Sequence, residues 1–535
     1  MKPLELPATS GTAAPEFVDE ASAKAWLENV PLANVAAAQQ QLLAQVHAFN
    51  RYAAAGAARF AALEAVREAV HFVEIEQARR FTNRALPMAE AESAVFDATL
   101  ALWEEMHVGY LHCLQSILAG ESGLRDEAAT ICQRVLNYTG LKMFHYHRAY
   151  REVPAAEWRA LHEGYAHAEA LGVAETAVKD YLNRDVNDTS PRIAYVRALM
   201  LGAANPNELS QRQLTFVAFL LERWSEKVEI GREPAQDDAP PLVVDLAGER
   251  CAERDGGGGA EARYLDVRRL AKSLRNRIGL LRKGESPAKL ALGEDCVQPS
   301  CEQLLVFLYR QWCQAKPPRG ADRKRVTDAA QACNDMGAIH YYISGHVFKQ
   351  PGETKELTAA QRDQIVAFGR VSTRDEDDYS AVHGYLLEHW QIVDESAQGM
   401  KLVRRAGNPG KRYSHGQLVA VRPGDSKNYM LAQVRWLMQN DEGDLFAGLR
   451  ILPGLPAATA VRATGLNVVG AKYVQALTLT AVAALNAPPS LVTPVGWFKP
   501  KRVVEVYVDG PVRVRLLEVA DRGSDYERCT YEMVA

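Results

Sequence analysis

A chain of 535 residues with 47% hydrophobic and 24% charged content has room for three or four domains, each with a buried core. Its formal net charge of −4 argues against a globally basic nucleic-acid binder. No apolar run reaches the roughly 18 residues of a membrane span, and the start lacks a positive-then-apolar secretory pattern, so a soluble, cytoplasmic protein is expected.

From about Ala21 to Glu229 the apolar residues recur at three- and four-residue steps. Leu42, Leu43, Val46 and Phe49 share one face, and Leu214, Phe216, Val217, Leu220 and Leu221 share another. Residues 1–235 therefore read as an all-helical bundle or array, punctuated by Gly120, Gly140, Pro154 and Asn205-Pro206. Trp158-x-x-Leu161-x-x-x-Tyr165 has the opening spacing of a tetratricopeptide repeat. No 34-residue self-similarity follows, so ordinary helix packing is expected. His145 and His147 lie two apart, the wrong spacing for a shared helix face, and no metal site is expected there.

Gly- and Pro-rich sequence at 236–262 predicts a flexible linker, with one isolated strand near Pro241–Gly248. Residues 263–352 return to helical periodicity. The basic run Arg268, Arg269, Lys272, Arg275, Arg277, Arg282 and Lys283 is expected to be a solvated helix face. Ala338–Pro351 is aromatic-rich and reads as less helical. The eight cysteines include no Cys-x-x-Cys pair, and their apolar surroundings predict core residues rather than zinc ligands.

After Pro351 the period changes. A short helix is expected at Thr358–Phe368. Strands follow at Gly384–Val393, Met400–Arg404, Gly416–Arg422, Met430–Met438 and Leu445–Leu452, separated by turn sequences. This spacing predicts a small antiparallel β-barrel over 353–456. Residues 457–535 are strand-like again, at Tyr473–Ala483, Ser490–Val495, Val503–Val508 and Val512–Val519, and predict a small C-terminal β domain. The fold class is thus multidomain α+β.

Two motifs stand where the helical pattern gives way to strands. Arg370 and Arg374 form Arg-x-x-x-Arg, and Asp394, Ser396 and Gly399 form Asp-x-Ser-x-x-Gly. The arginine spacing recurs at Arg80/Arg84, Arg250/Arg254 and Arg319/Arg323, and carries nothing alone. The second motif occurs once, against on the order of 0.1 chance matches in a chain of this length. A guanidinium fork suits phosphate oxygens and the O6/N7 edge of guanine. A carboxylate accepts from guanine N1–H and N2–H₂, a serine hydroxyl donates or accepts, and a glycine permits close backbone approach. An Asx or Ser turn is the structural alternative.

Together the two motifs resemble the nucleotide-binding signature of PilZ domains, the bacterial receptors for cyclic di-GMP, and the resemblance covers about 353–456. It implies that Arg370 and Arg374, on a segment before the first strand, grip the ligand while Asp394, Ser396 and Gly399 hold it on the barrel. The acidic run Asp375–Asp378 is a candidate partner for the arginines when ligand is absent, and Arg404–Arg412 a candidate source of further phosphate contacts. The resemblance implies a receptor that couples cyclic di-GMP to protein–protein interaction through the helical region, in motility, pili, surface attachment or biofilm control. It implies no catalytic residue, metal or cofactor. The alternative is a nucleotide-independent scaffold with a degenerate PilZ-like module. An enzyme is the weakest reading, because His340/Asp335 and Cys333/His340 lack a recognisable nucleophile, base and oxyanion arrangement.

Overall fold

A computed structural model describes the chain except residues 1–3, 5, 11–12, 185, 236–240, 255–258, 294–295, 316–323, 326–327, 353–382, 465–470 and 535. It separates into two units, Met1–Arg84 with Met88–Pro318, and Ala85–Pro87 with Arg319–Ala535.

The first unit contains α1 (Glu20–Leu27), α2 (Val35–Asn50), α3 (Gly56–Ala78), α4 (Glu90–Leu118), α5 (Ala128–Arg148), α6 (Ala155–Ala170), α7 (Pro191–Ala203), α8 (Gln211–Trp224), α9 (Arg268–Arg282) and α10 (Ser300–Cys313). The expected periodicity is what buries them. Leu214, Val217, Leu220, Leu221 and Trp224 of α8 are buried on one stripe. Each such fully buried side chain is worth about 1.5–3 kcal/mol. Ser210 and Gln213 start that helix as a reciprocal cap, with bonds of 2.9 and 3.3 Å. Trp158, Leu161 and Tyr165 are buried on α6 as ordinary packing residues.

The unit also holds strands. β1 (Val178–Lys179) pairs with β2 (Asp188–Thr189). β3 (Glu229–Gly231), β4 (Leu242–Asp245), β5 (Glu253–Arg254) and β6 (Ala262–Asp266) form an antiparallel sheet in the order β3-β6-β4-β5. The stretch expected to be a linker thus supplies strands, because Leu242, Val243, Val244 and Leu265 are buried there. Leu242, Val244 and Leu265 join a cluster that also contains Trp158, Leu199 and Trp224 from the earlier helices and Leu274, Leu308 and Trp312 from α9 and α10. Residues 263–313 therefore share a core with the helices before them. The basic face of α9 is exposed, apart from the half-buried Arg277. Arg268 pairs with Asp266 at 2.6 Å and Arg282 with Glu302 at 2.8 Å, while Arg277 lies 5.4 Å from the Trp224 ring.

The second unit begins with β7 (Lys324–Arg325), β8 (Ala329–Asn334) and α11 (Met336–Ser344). These lie inside the stretch 263–352 that was expected to be helical, so the barrel takes strands from before Pro351. The sequence AAQACN is poor in large apolar residues, which hides the strand. The aromatic stretch after Ala338 is helical because Asp335 caps α11, its Oδ1 accepting from Ala338 N at 2.8 Å, and Gly345 ends it at φ 75°.

The strands expected between 384 and 452 are present as β9 (Glu388–Ser396), β10 (Gly399–Arg404), β11 (Leu418–Pro423), β12 (Met430–Gln439) and β13 (Leu445–Ile451). All pairings are antiparallel in the order β10-β13-β12-β11-β8-β9, and a β9–β10 pairing closes the ring, with β7 also lying along β9. The tail forms a second closed barrel from β14 (Pro456–Ala463), β15 (Val474–Leu479), β16 (Ser490–Pro494), β17 (Val503–Tyr507), β18 (Pro511–Arg522) and β19 (Tyr526–Met533). Two of these, β14 and β19, were not legible: one is alanine-rich, and the other buries the charged Glu527 and Arg528. The expected short helix at Thr358–Phe368 lies outside the described residues.

Candidate functional site

Asp394 and Ser396 end β9, Ala397 and Gln398 turn, and Gly399 opens β10. The motif is therefore one tight hairpin, with Ser396 paired to Gly399 and Asp394 to Lys401. The Ser396 hydroxyl donates to the Gly399 carbonyl at 3.2 Å. At Gly399 a Cβ would stand 2.4 Å from the Leu449 carbonyl oxygen, so only glycine lets β10 lie against β13 here. The turn reading and the ligand reading of the motif both rest on this one geometry.

Strand register extends the motif sideways. Lys401 pairs with Gly448, and Gly448 with Trp436. Gly399 pairs with Arg450, and Arg450 with Gln433. Side chains of directly paired residues share a face, and so do residues two apart on one strand. Asp394, Ser396, Lys401, Trp436, Phe446 and Arg450 thus share one face, with Met400, Leu402 and Leu449 buried on the other. The Lys401 ammonium lies 5.8 Å from the Trp436 ring and 5.2 Å from the Phe446 ring. Gly448 is the residue under the Trp436 ring, where any Cβ would clash with the indole. Arg450 donates to Gln433 Oε1 at 3.1 Å and pairs with Asp521, which in turn holds Arg528 at 2.6 Å. A carboxylate, a hydroxyl, two cations and two aromatic rings are thereby collected on the four strands β9, β10, β12 and β13.

Lys401, Trp436, Phe446 and Arg450 were not singled out from sequence. The alternation that carries Gly399 to Lys401 was available, but placing Trp436 and Arg450 needs the register of three strands, including the bulge at Val434/Trp436.

The basic loop after β10 does not join this face. Arg404 is buried, pairs with Glu388 at 2.6 Å, donates to the Lys411 carbonyl at 2.8 Å, and lies 5.4 and 5.7 Å from the Trp390 and Tyr413 rings. Arg405 pairs with Asp444 and Lys411 with Asp335, each at 2.6 Å. The Ala406 N–H and then Arg405 hold the Asp444 carboxyl below its ordinary range. These cations serve the loop's own structure. Arg370, Arg374 and the acidic run Asp375–Asp378 lie outside the described residues.

The sites weighed for catalysis or metals are occupied by structural bonds. His340 faces the Thr459 carbonyl at 3.2 Å, Asp335 caps α11, and burial pushes the Cys333 thiol up. No group of three or more His, Cys, Asp or Glu side chains among the described residues has metal-holding geometry. No helix among the described residues is long and apolar enough to cross a membrane.

Known proteins supply the remaining observation. Residues 21–235 match the family model described as the N-terminal domain of the cyclic-di-GMP receptor FimW, and residues 457–534 match the FimW C-terminal β-barrel domain. These matches support a cyclic-di-GMP receptor family. The cyclic-di-GMP receptor FimW of Pseudomonas aeruginosa is 25% identical to this chain over 549 residues, covering 92% of this chain and 87% of that protein. The FimW models flank the first barrel on both sides, and the second-barrel match agrees with the closed ring β14–β19.

Proposed function

We propose that this protein is a cyclic di-GMP receptor without catalytic activity of its own, and that the first barrel is its sensing module. The observation that carries the reading is the shared face of Asp394, Ser396, Lys401, Trp436 and Arg450 beside the hairpin turn. A guanine needs an acceptor for its N1–H and N2–H₂ and a flat surface for its ring, and a phosphate needs cations. Asp394 supplies the acceptor, Trp436 the surface, and Lys401 the charge. Arg370 and Arg374 come from the preceding segment and close on the phosphates, and Gly399 keeps the β10–β13 approach that the face requires. The name of the Pseudomonas relative supports the ligand. The PilZ-like character of this barrel rests on the two motifs.

In this reading the ligand draws two like-charged guanidiniums together, which shifts the population of the arginine segment and alters a surface that a protein partner reads. The output is control of motility, pili or surface attachment through the helical unit. Calorimetric titration of the full chain with cyclic di-GMP tests the core of it. Arg370→Ala and Arg374→Ala are each expected to weaken binding at least about tenfold, the scale of one lost charge-assisted contact. Tight binding by the double variant overturns the assignment to these arginines, whereas absence of binding by the unsubstituted chain favours a nucleotide-independent scaffold.

A further inference from the structure

The helical unit contains a cleft unrelated to the barrel face. Its outer part, about 450 Å³, is lined by Arg148, Arg184 and Arg212 together with Asn83, Thr215 and Phe219. Through Arg148, Arg184, Thr215 and Phe219 it continues into a narrower part of about 190 Å³ that reaches Arg79, Arg197 and His145.

Among the described residues the charge balance of this cleft is one-sided. Among the described residues lining the outer part there is no carboxylate. The inner part has two. Asp180 accepts from Arg67 at 3.0 Å and from Gln133 at 3.2 Å, one on each oxygen, and Glu222 Oε1 accepts from Arg197 at 3.0 Å while its Oε2 is buried without a partner.

Arg148 is the residue this arrangement leaves unmatched. Its Nη2 donates to Thr82 Oγ1 at 3.2 Å and its guanidinium lies 5.3 Å from the Phe144 ring, but its Nε is buried with no hydrogen-bond partner. Burial, then repulsion from Arg184 and Arg79, pushes Arg148 down to about 10. Deeper in, His145 is fully buried and neither of its ring nitrogens is hydrogen-bonded. A solvated arginine face keeps its donors in water and needs no other explanation; a buried Nε facing further cations does not fit that description.

We propose that this cleft is a second anion site, taking a phosphate-bearing small molecule of nucleotide size. Guanidinium forks meet phosphate oxygens bidentately, and the combined space lies in the range of small-molecule sites. Arg148 and Arg184 hold the phosphate, Asn83 and Thr215 offer further polar contacts, and Phe219 walls the body of the ligand. A dianion there ends the repulsion between the arginines and supplies the acceptor that Arg148 Nε lacks.

The experiment is calorimetric titration of the full chain with pyrophosphate and with 5′-guanosine monophosphate, carried out in the Arg370→Ala/Arg374→Ala background so that the barrel site does not contribute. Saturable binding of at least one probe is expected, weakened at least about tenfold by Arg184→Ala. Arg184 is exposed, so its substitution leaves the fold intact, and an unchanged melting temperature checks this. Arg148→Met is expected to abolish binding, with the same melting control. The proposal fails if neither probe saturates, or if Arg184→Ala changes affinity less than that. Neither result bears on cyclic di-GMP binding by the barrel.

Discussion

Gly399 shows how much one residue fixes. With the Leu449 carbonyl 2.4 Å from where a Cβ would be, Gly399→Ala has to push β10 away from β13. The expected cost is about 1–3 kcal/mol, read as a lower denaturant midpoint at unchanged slope. Glu74 is a second telling residue, buried in the first unit with Oε1 accepting from Gln39 at 2.9 Å and Oε2 without a partner. Burial pushes its carboxyl up to about 8. The folded chain therefore holds a proton that the unfolded chain releases above about 4.5, and stability falls as pH rises from there to about 8. Each unit of such a shift is worth about 1.4 kcal/mol. Glu74→Gln is expected to raise the melting temperature at pH 8 and to make little difference at pH 4. An equal effect at both pH values would refute this origin.

At the scale of elements, α11 depends on the residue that caps it. Asp335 holds φ at 68°, caps the helix and pairs with Lys411, so Asp335→Ala keeps the strained backbone and loses both contacts. A loss of about 1–2 kcal/mol is expected, with Asp335→Asn retaining the cap and most of the stability. Denaturation midpoints of the two variants decide it. Elements such as these mark the limit of what was legible in the sequence. The amphipathic helices of the first unit and the strands β9 to β13 follow from apolar spacing and turn residues. The strand expected near Pro241–Gly248 is β4, whereas β6 beside the Gly-rich stretch and β8 in small residues were hidden, because burial there comes from partners distant in the chain. The candidate site divides the same way. Asp394, Ser396 and Gly399 are local and were legible, whereas Lys401, Trp436 and Arg450 meet only through strand register.

For the molecule as a whole, the two barrels are not independent. Ile339, Leu418, Leu431 and Leu452 share one buried cluster with Leu477, Leu479, Val492 and Tyr526. Leu418 N–H also donates to Asp525 at 2.9 Å, and Gln433 donates to the Arg522 carbonyl at 3.2 Å. A chain ending at Leu455 would bare one side of that cluster, and it is expected to aggregate rather than yield a folded first barrel. In the full chain, fluorescence of Trp390 and of Trp497 should report one shared unfolding transition, and two separate midpoints would contradict the joint core. Ring closure has a further effect on how other proteins can be engaged. Among the described residues, six strands paired in a circle leave little continuous backbone edge, the two-residue β7 aside, so an incoming strand finds little to extend in either barrel. Recognition of a partner by this part of the protein then falls to side chains and loops, which a substitution can alter one position at a time.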